Sequence, residues 1–91
     1  MTNSPAFQRA TNVVSAEMDG ETVIMSLEKN VYFGLSGSGG RIWELLETPV
    51  SLAALVETLA QEYDVAPETC RADVVGILDD MQANGLVTSV G

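Results

Sequence analysis

This 91-residue sequence predicts an α+β domain, a three-stranded antiparallel sheet followed by three helices. Three observations carry that prediction. Residues 12–18 and 21–27 alternate in polarity around Asp19-Gly20, a dipeptide that favours the two-residue hairpin turn. Residues 31–46, VYFGLSGSGGRIWELL, run an aromatic strand through a glycine-serine turn directly into a helix. The stretches after Ser51 and Pro67 then repeat apolar residues at helical spacing.

The hairpin comes first. A two-residue turn sets Met18 opposite Glu21, Ala16 opposite Val23 and Val14 opposite Met25. Val14, Ala16, Met18, Val23 and Met25 then share one face, which their apolar character assigns to the core. The other face carries Ser15, Glu17, Thr22 and Ser26, with Val13 and Ile24 as its apolar members. The next connection fits a three-residue loop, Glu28-Lys29-Asn30, with Asn30 in the left-handed conformation. Leu27 then pairs with Val31, Met25 with Phe33 and Val23 with Leu35, and Tyr32 and Gly34 point outward. A two-residue loop would reverse that assignment.

Ser38 is a candidate cap for the first helix, whose stripe is Ile42, Leu45 and Leu46, widened by Trp43. Thr48-Pro49 ends it, because the residue before proline resists helical geometry. Ser51 caps the second helix, with Val50 and Leu55 placed as a hydrophobic staple. Its stripe is Leu52, Leu55, Val56, Leu59, Ala60 and Tyr63. Pro67 and Glu68 suit the first turn of the third helix, which buries Val74, Ile77, Leu78 and Met81 with Val75 beside them. Asn84-Gly85 closes it as a Schellman-type cap, with Leu86 folding back onto Met81. A short extended tail follows, with the potential to form a strand.

Composition bounds the function. The length suits one domain, residues 12–91, preceded by a flexible arm at residues 1–11. With 46% apolar residues the chain has enough to fold, yet no run reaches the roughly 18 residues a membrane span requires. The N-terminus lacks the basic start and apolar block of a secretory signal, so the expected location is cytoplasmic, with no membrane partner. Thirteen acids against four bases give a net charge of −9, which opposes binding to a phosphate backbone. That surface serves either plain solubility or a basic partner.

Catalytic chemistry is scarce. Without histidine, and with Cys70 as the lone cysteine, neither a disulfide nor the usual zinc site can form, and no cofactor or metal is expected. Cys70 reads as a small packing residue. Asp79 and Asp80 are neighbours, but adjacent helical residues point about 100° apart and make no carboxylate pair. Gly34, Gly37, Gly39 and Gly40 precede a helix without a phosphate-loop pattern, so a tight strand-to-helix turn explains them better. Gly76 weakens the third helix by about 1 kcal/mol against alanine; it is either tolerated or marks a close backbone approach. What remains is the edge of the third strand. Its unpaired backbone groups are either shielded or used to bind an added strand.

Taken together, DGETVIMSLEKNVYFGLSGSGGRIWELL, the helix SLAALVETLAQEYDV and the helix ADVVGILDDMQANGLV with its closing glycine resemble the PqqD-like family over residues 12–90. These are the peptide-recognition domains of pathways that modify ribosomally made peptides. The resemblance implies a winged-helix-like fold that binds, without catalysis, the leader segment of a precursor peptide. It implies that the leader adds to the third strand, here Val31, Tyr32, Phe33, Gly34 and Leu35, facing the third helix near Arg71, Val74, Val75 and Leu78. It also implies a separate processing enzyme as partner. The YFGL strand and RIWELL helix favour the lasso-peptide type, which serves a cysteine protease, over the pyrroloquinoline quinone chaperone that serves a radical-SAM enzyme. A winged-helix DNA-binding domain is the competing class. It needs a basic recognition helix, whereas residues 68–84 carry one arginine against four acids. A purely structural subunit of an oligomer is a further alternative.

Overall fold

The computed structural model describes residues 5–35 and 37–90. The element order is β1 (Ala6–Arg9), β2 (Val13–Met18), β3 (Glu21–Ser26), β4 (Val31–Leu35), α1 (Ser38–Leu45), β5 (Val50–Ser51), α2 (Leu52–Tyr63), α3 (Pro67–Ala83) and β6 (Val87–Val90). Three helices and the antiparallel sheet β2-β3-β4 are present as expected. A second antiparallel sheet, ordered β5-β1-β6, was not anticipated.

That second sheet corrects the flexible arm. Ala6 to Arg9 pair along β6, from Ala6 opposite Val90 to Arg9 opposite Val87, and Phe7 pairs with Val50 of β5. Residues 1–4 of the expected arm lie outside the described residues. Phe7 is buried, and Arg9 stacks on Trp43 with its guanidinium carbon 4.5 Å from the ring centroid. The same guanidinium donates to the Trp43 carbonyl at 2.6 Å and 3.2 Å. Burial lowers the arginine's affinity for its proton, and the nearby charges of Glu47 and Glu44 push the other way.

The hairpin turn is as read: Asp19 and Gly20 both have positive φ, and Met18–Glu21, Ala16–Val23 and Val14–Met25 are opposed. The face assignment is inverted. Ile24, Thr22 and Ser26 are the buried residues of β3, while Val14 and Met18 are 51% and 60% exposed. The polar members of the inner face meet neighbours within the molecule. Ser26 Oγ accepts from Lys29 N at 3.2 Å, Trp43 Nε1 donates to Ser15 Oγ at 3.0 Å, and Thr22 sits under the start of α1 at Gly40.

The next loop is one residue longer than expected. Asn30 does adopt the left-handed conformation, and its N–H donates to the Ser26 carbonyl at 2.7 Å. Ser26 therefore closes the loop and pairs with Val31, which sets Met25 opposite Tyr32 and Ile24 opposite Phe33. Because face and register were both off by one, Phe33 and Leu35 still turn toward the core and Tyr32 outward.

Gly37, at φ 59°, precedes α1, and Ser38 is its first residue rather than a side-chain cap. Ser51 Oγ caps α2 by accepting from Ala54 N at 3.1 Å. Pro67 opens α3. Its end is a Schellman motif: Leu86 N donates to Met81 O at 2.9 Å, Gly85 N to Gln82 O at 3.0 Å, and Gly85 has φ 74°. Ile42, Trp43, Leu46, Leu55, Leu59 and Leu78 fill the middle of the core with almost no exposure. Tyr63, expected in the α2 stripe, is 48% exposed. Cys70 is buried with its thiol 3.7 Å from the Val56 carbonyl, and burial, then the charge of Asp73, raises its pKa.

Candidate functional site

The site starts from an unpaired edge. Among the described residues, β4 hydrogen-bonds only to β3, so the other row of its backbone groups has no strand beside it. The edge of β2 is free as well. What separates the two is their surroundings. Beside β4 runs a groove of about 380 Å³, whereas β2 is exposed along nearly its whole length.

The groove lies between β4 and the C-terminal half of α3. Phe33, Gly34 and Leu35 form its strand side, and Ile77, Asp80, Met81 and Asn84 its helix side. Leu86, brought back by the Schellman turn, lines one end, while Ser38 and Gly39 of the first turn of α1 line another part. The volume falls within the range of specific ligand pockets, and the floor of Phe33, Leu35, Ile77, Met81 and Leu86 is apolar. A further open depression continues past Ala72, Asp73, Gly76 and Asp79. Asp73, Asp79 and Asp80 make this rim acidic, and none of them forms an ion pair among the described residues.

Of the strand residues proposed for binding, Phe33 and Leu35 turn half-buried into the groove, Gly34 lies on its rim, Tyr32 projects outward at 69% exposure, and Val31 is exposed. The helix residues fare differently. Val74 and Leu78 are each 2% exposed and belong to the core, and neither lines this groove. Arg71 is exposed on the far flank, about 180° around the helix from Asp80, and Val75 lies about 160° from Ile77. Val75 and the groove thus lie on opposite flanks of the buried stripe of α3. Ile77, Asp80, Met81 and Asn84 line the groove, and none of them was named from the sequence as a binding residue. Ile77 flanks the Cys70, Val74, Leu78, Met81 stripe on the side opposite Val75.

Gly76 sits on the groove side of α3, and a Cβ built there would meet nothing within 4 Å. Among the described residues, no backbone from outside the helix approaches it. No cluster of three or more potential metal ligands occurs among the described residues. No helix among them is long and apolar enough to cross a membrane.

Comparison with known proteins converges on one family. No curated protein matches the sequence. Among solved structures, TbiB1 in complex with the TbiA(beta) leader peptide is 33% identical, with a TM-score of 0.81 over 88% of this chain and 93% of that one. A lasso peptide synthetase B1 complexed with its leader peptide shares the fold at 20% identity and a TM-score of 0.79, covering 90% and 96% of the two chains. The PqqD truncation of Methylobacterium extorquens PqqCD, a stand-alone recognition element for ribosomally synthesized and modified peptides, does so at 16% identity and 0.76, covering 91% and 88%. The family described as Coenzyme PQQ synthesis protein D matches residues 21–87. By that match the chain belongs to the PqqD family.

Proposed function

We propose that this protein is a non-catalytic adaptor that binds the leader segment of a ribosomally made precursor peptide and presents it to a separate processing enzyme. The carrying observation is the free edge of β4 beside the groove against α3. An extended peptide added to β4 gains main-chain hydrogen bonds that do not depend on its sequence. Every second side chain then enters the groove, where Phe33, Leu35, Ile77 and Met81 select apolar residues. Asp73 and Asp80 on the rim favour a leader that carries lysine or arginine next to those anchors. TbiB1, which shares a third of its sequence with this chain, was solved with a leader peptide, and that supports the same role here.

The processing enzyme we assign is the leader protease of a lasso-peptide pathway, following the two B1 relatives. The family match and the PqqD relative favour a second reading, a chaperone for the radical-SAM enzyme of quinone-cofactor synthesis. Titration with precursor peptides of each pathway separates the two.

Hydrogen exchange on addition of the leader tests the site itself. Protection is expected in Val31–Leu35 and around residues 77–84. Protection confined to β2 or α2 would move the site elsewhere. A complementary variant is Ile77→Glu, which places a charge on the groove wall at a half-buried position. It should weaken leader binding by about tenfold or more while the fold survives.

A further inference from the structure

The outward face of the β2-β3-β4 sheet is the most apolar exposed surface of the hairpin, and the leader groove does not use it. The cross-strand ladder Val14–Met25–Tyr32 is one rung, Ala16–Val23–Gly34 the next, and Met18 beside Glu21 the last. Val14, Met18 and Tyr32 are 51%, 60% and 69% exposed, and Val23 and Met25 are half-buried. Contiguous apolar surface of this kind on an otherwise acidic protein marks an interaction site. No helix or loop of the described chain covers it.

We infer that this face is the docking surface for the processing enzyme, which meets it with an apolar patch rimmed by lysine and arginine. This rests on the adaptor reading above. Two observations fix the occupant. The first is charge. Glu21 stands on this face beside Met18, Asp19 is in the adjoining turn, and the hairpin, residues 13–26, contains no lysine or arginine. A second copy of a chain with net charge −9 would bring the same acids against them, whereas a basic rim complements them.

The second is continuity. A leader strand added to β4 extends this same sheet by one strand. Its side chains alternate, so those that do not enter the groove lie flush with Tyr32 on the outer face. A protein seated on Val14, Met25 and Tyr32 therefore touches the bound leader as well, and it distinguishes the loaded adaptor from the empty one. Met18 and Met25 suit such a surface, because unbranched thioether side chains adapt to the partner's shape.

The test uses the full chain, a synthetic leader and the purified leader protease of the same pathway. Val14→Glu and Met18→Glu lie on β2, two strands away from the leader edge, at exposed positions. Each should weaken protease binding by about tenfold or more and leave leader affinity within about twofold. Val14→Thr, which keeps strand propensity, covers the case in which glutamate disturbs the hairpin, and it should show a smaller loss in the same direction. Unchanged protease binding in the folded variants would overturn the inference. So would a parallel fall in leader affinity, which would make this face part of the leader site. A wild-type dimer that the variants split into monomers would assign the face to a second copy instead. Protease binding is measured on the leader-free chain too, so failure of the leader to bind and failure of this face to dock are read separately.

Discussion

The two three-stranded sheets of this protein are built on opposite plans. The β5-β1-β6 sheet joins segments from the start, middle and end of the sequence, and its central strand is fastened on every side. Phe7 enters the core, Arg9 grips the Trp43 carbonyl and ring, and Leu52 N donates to the Pro5 carbonyl at 2.7 Å. The β2-β3-β4 sheet is a local meander with two open edges and one bare face. The contrast separates two tasks. Non-local pairing ties the start of the sequence to the helical layer, while the locally paired sheet leaves its edges and one face open among the described residues.

The sharpest way to break that comparison is to hollow out the anchored side. Phe7→Ala removes a buried aromatic ring and should destabilise the fold by about 3–5 kcal/mol, comparable with about 2–5 kcal/mol for Leu55→Ala in the central core. Either loss is a large share of the roughly 5–15 kcal/mol such domains possess. Chemical denaturation reads it directly, and a Phe7→Ala midpoint equal to wild type would demote β1 to a loose arm.

Arg9→Met comes next. It keeps the apolar stem but forfeits two charged hydrogen bonds to the Trp43 carbonyl and the stacking on its ring, an expected loss of about 1–3 kcal/mol. Exchange of the β1 amides should quicken more than that of the β3 amides. Equal acceleration in both sheets would mean that they unfold as one unit.

A smaller effect depends on pH. Burial raises the Cys70 thiol pKa, so the folded state keeps its proton where the unfolded chain, near its ordinary value of about 8.5, releases it. The stability this group contributes is complete below that value and is lost as the pH rises from it through the higher value of the folded state. Thermal midpoints measured from pH 7 to 10 should decline, and Cys70→Ala should flatten the decline. A thiol reagent at neutral pH should modify wild-type Cys70 only as fast as the protein opens.

The smallest expected change sharpens the contrast best. Val14→Ala and Met18→Ala, on the bare sheet face, should each alter stability by no more than about 0.5 kcal/mol, because these side chains have little packing to lose. A cost near that of Phe7→Ala would show that the face is covered within the molecule.

How much of this was legible in the sequence follows the same division. Asp19-Gly20, Ser51, Pro67 and Asn84-Gly85 act through their own backbone neighbours, and each produced the turn or cap it suggested. The burial of β3 did not follow from its pattern. Thr22 and Ser26 look like solvent-facing residues until their partners, a loop amide for Ser26 and the first turn of α1 for Thr22, are in place. The register of β4 depended on one loop residue. β1 was unreadable, since a four-residue strand with a single large apolar side chain acquires meaning only from β5 and β6. Of the groove, the strand side of Phe33, Gly34 and Leu35 was marked by the aromatic run. The helix side was not, because α3 meets the groove with Ile77 set among Asp73, Gly76, Asp80 and Asn84, a flank that reads as plain surface.

Ala6 and Val90 are opposed partners at the end of the β1–β6 ladder, and opposed residues in such ladders lie only about 4.5–5.5 Å apart between Cα atoms. A few glycines could join them without bending either strand, and the chain could then be reopened at the exposed tip around Glu28 and Lys29. Such a circular permutant would keep every pairing of both sheets. It would carry its new ends next to β4, within a short tether of the groove. A precursor segment fused there would occupy the binding edge intramolecularly, at the effective millimolar concentration that short flexible linkers confer. The pairing of β1 with β6 in one sheet thus makes the domain a ready scaffold for a self-loaded adaptor.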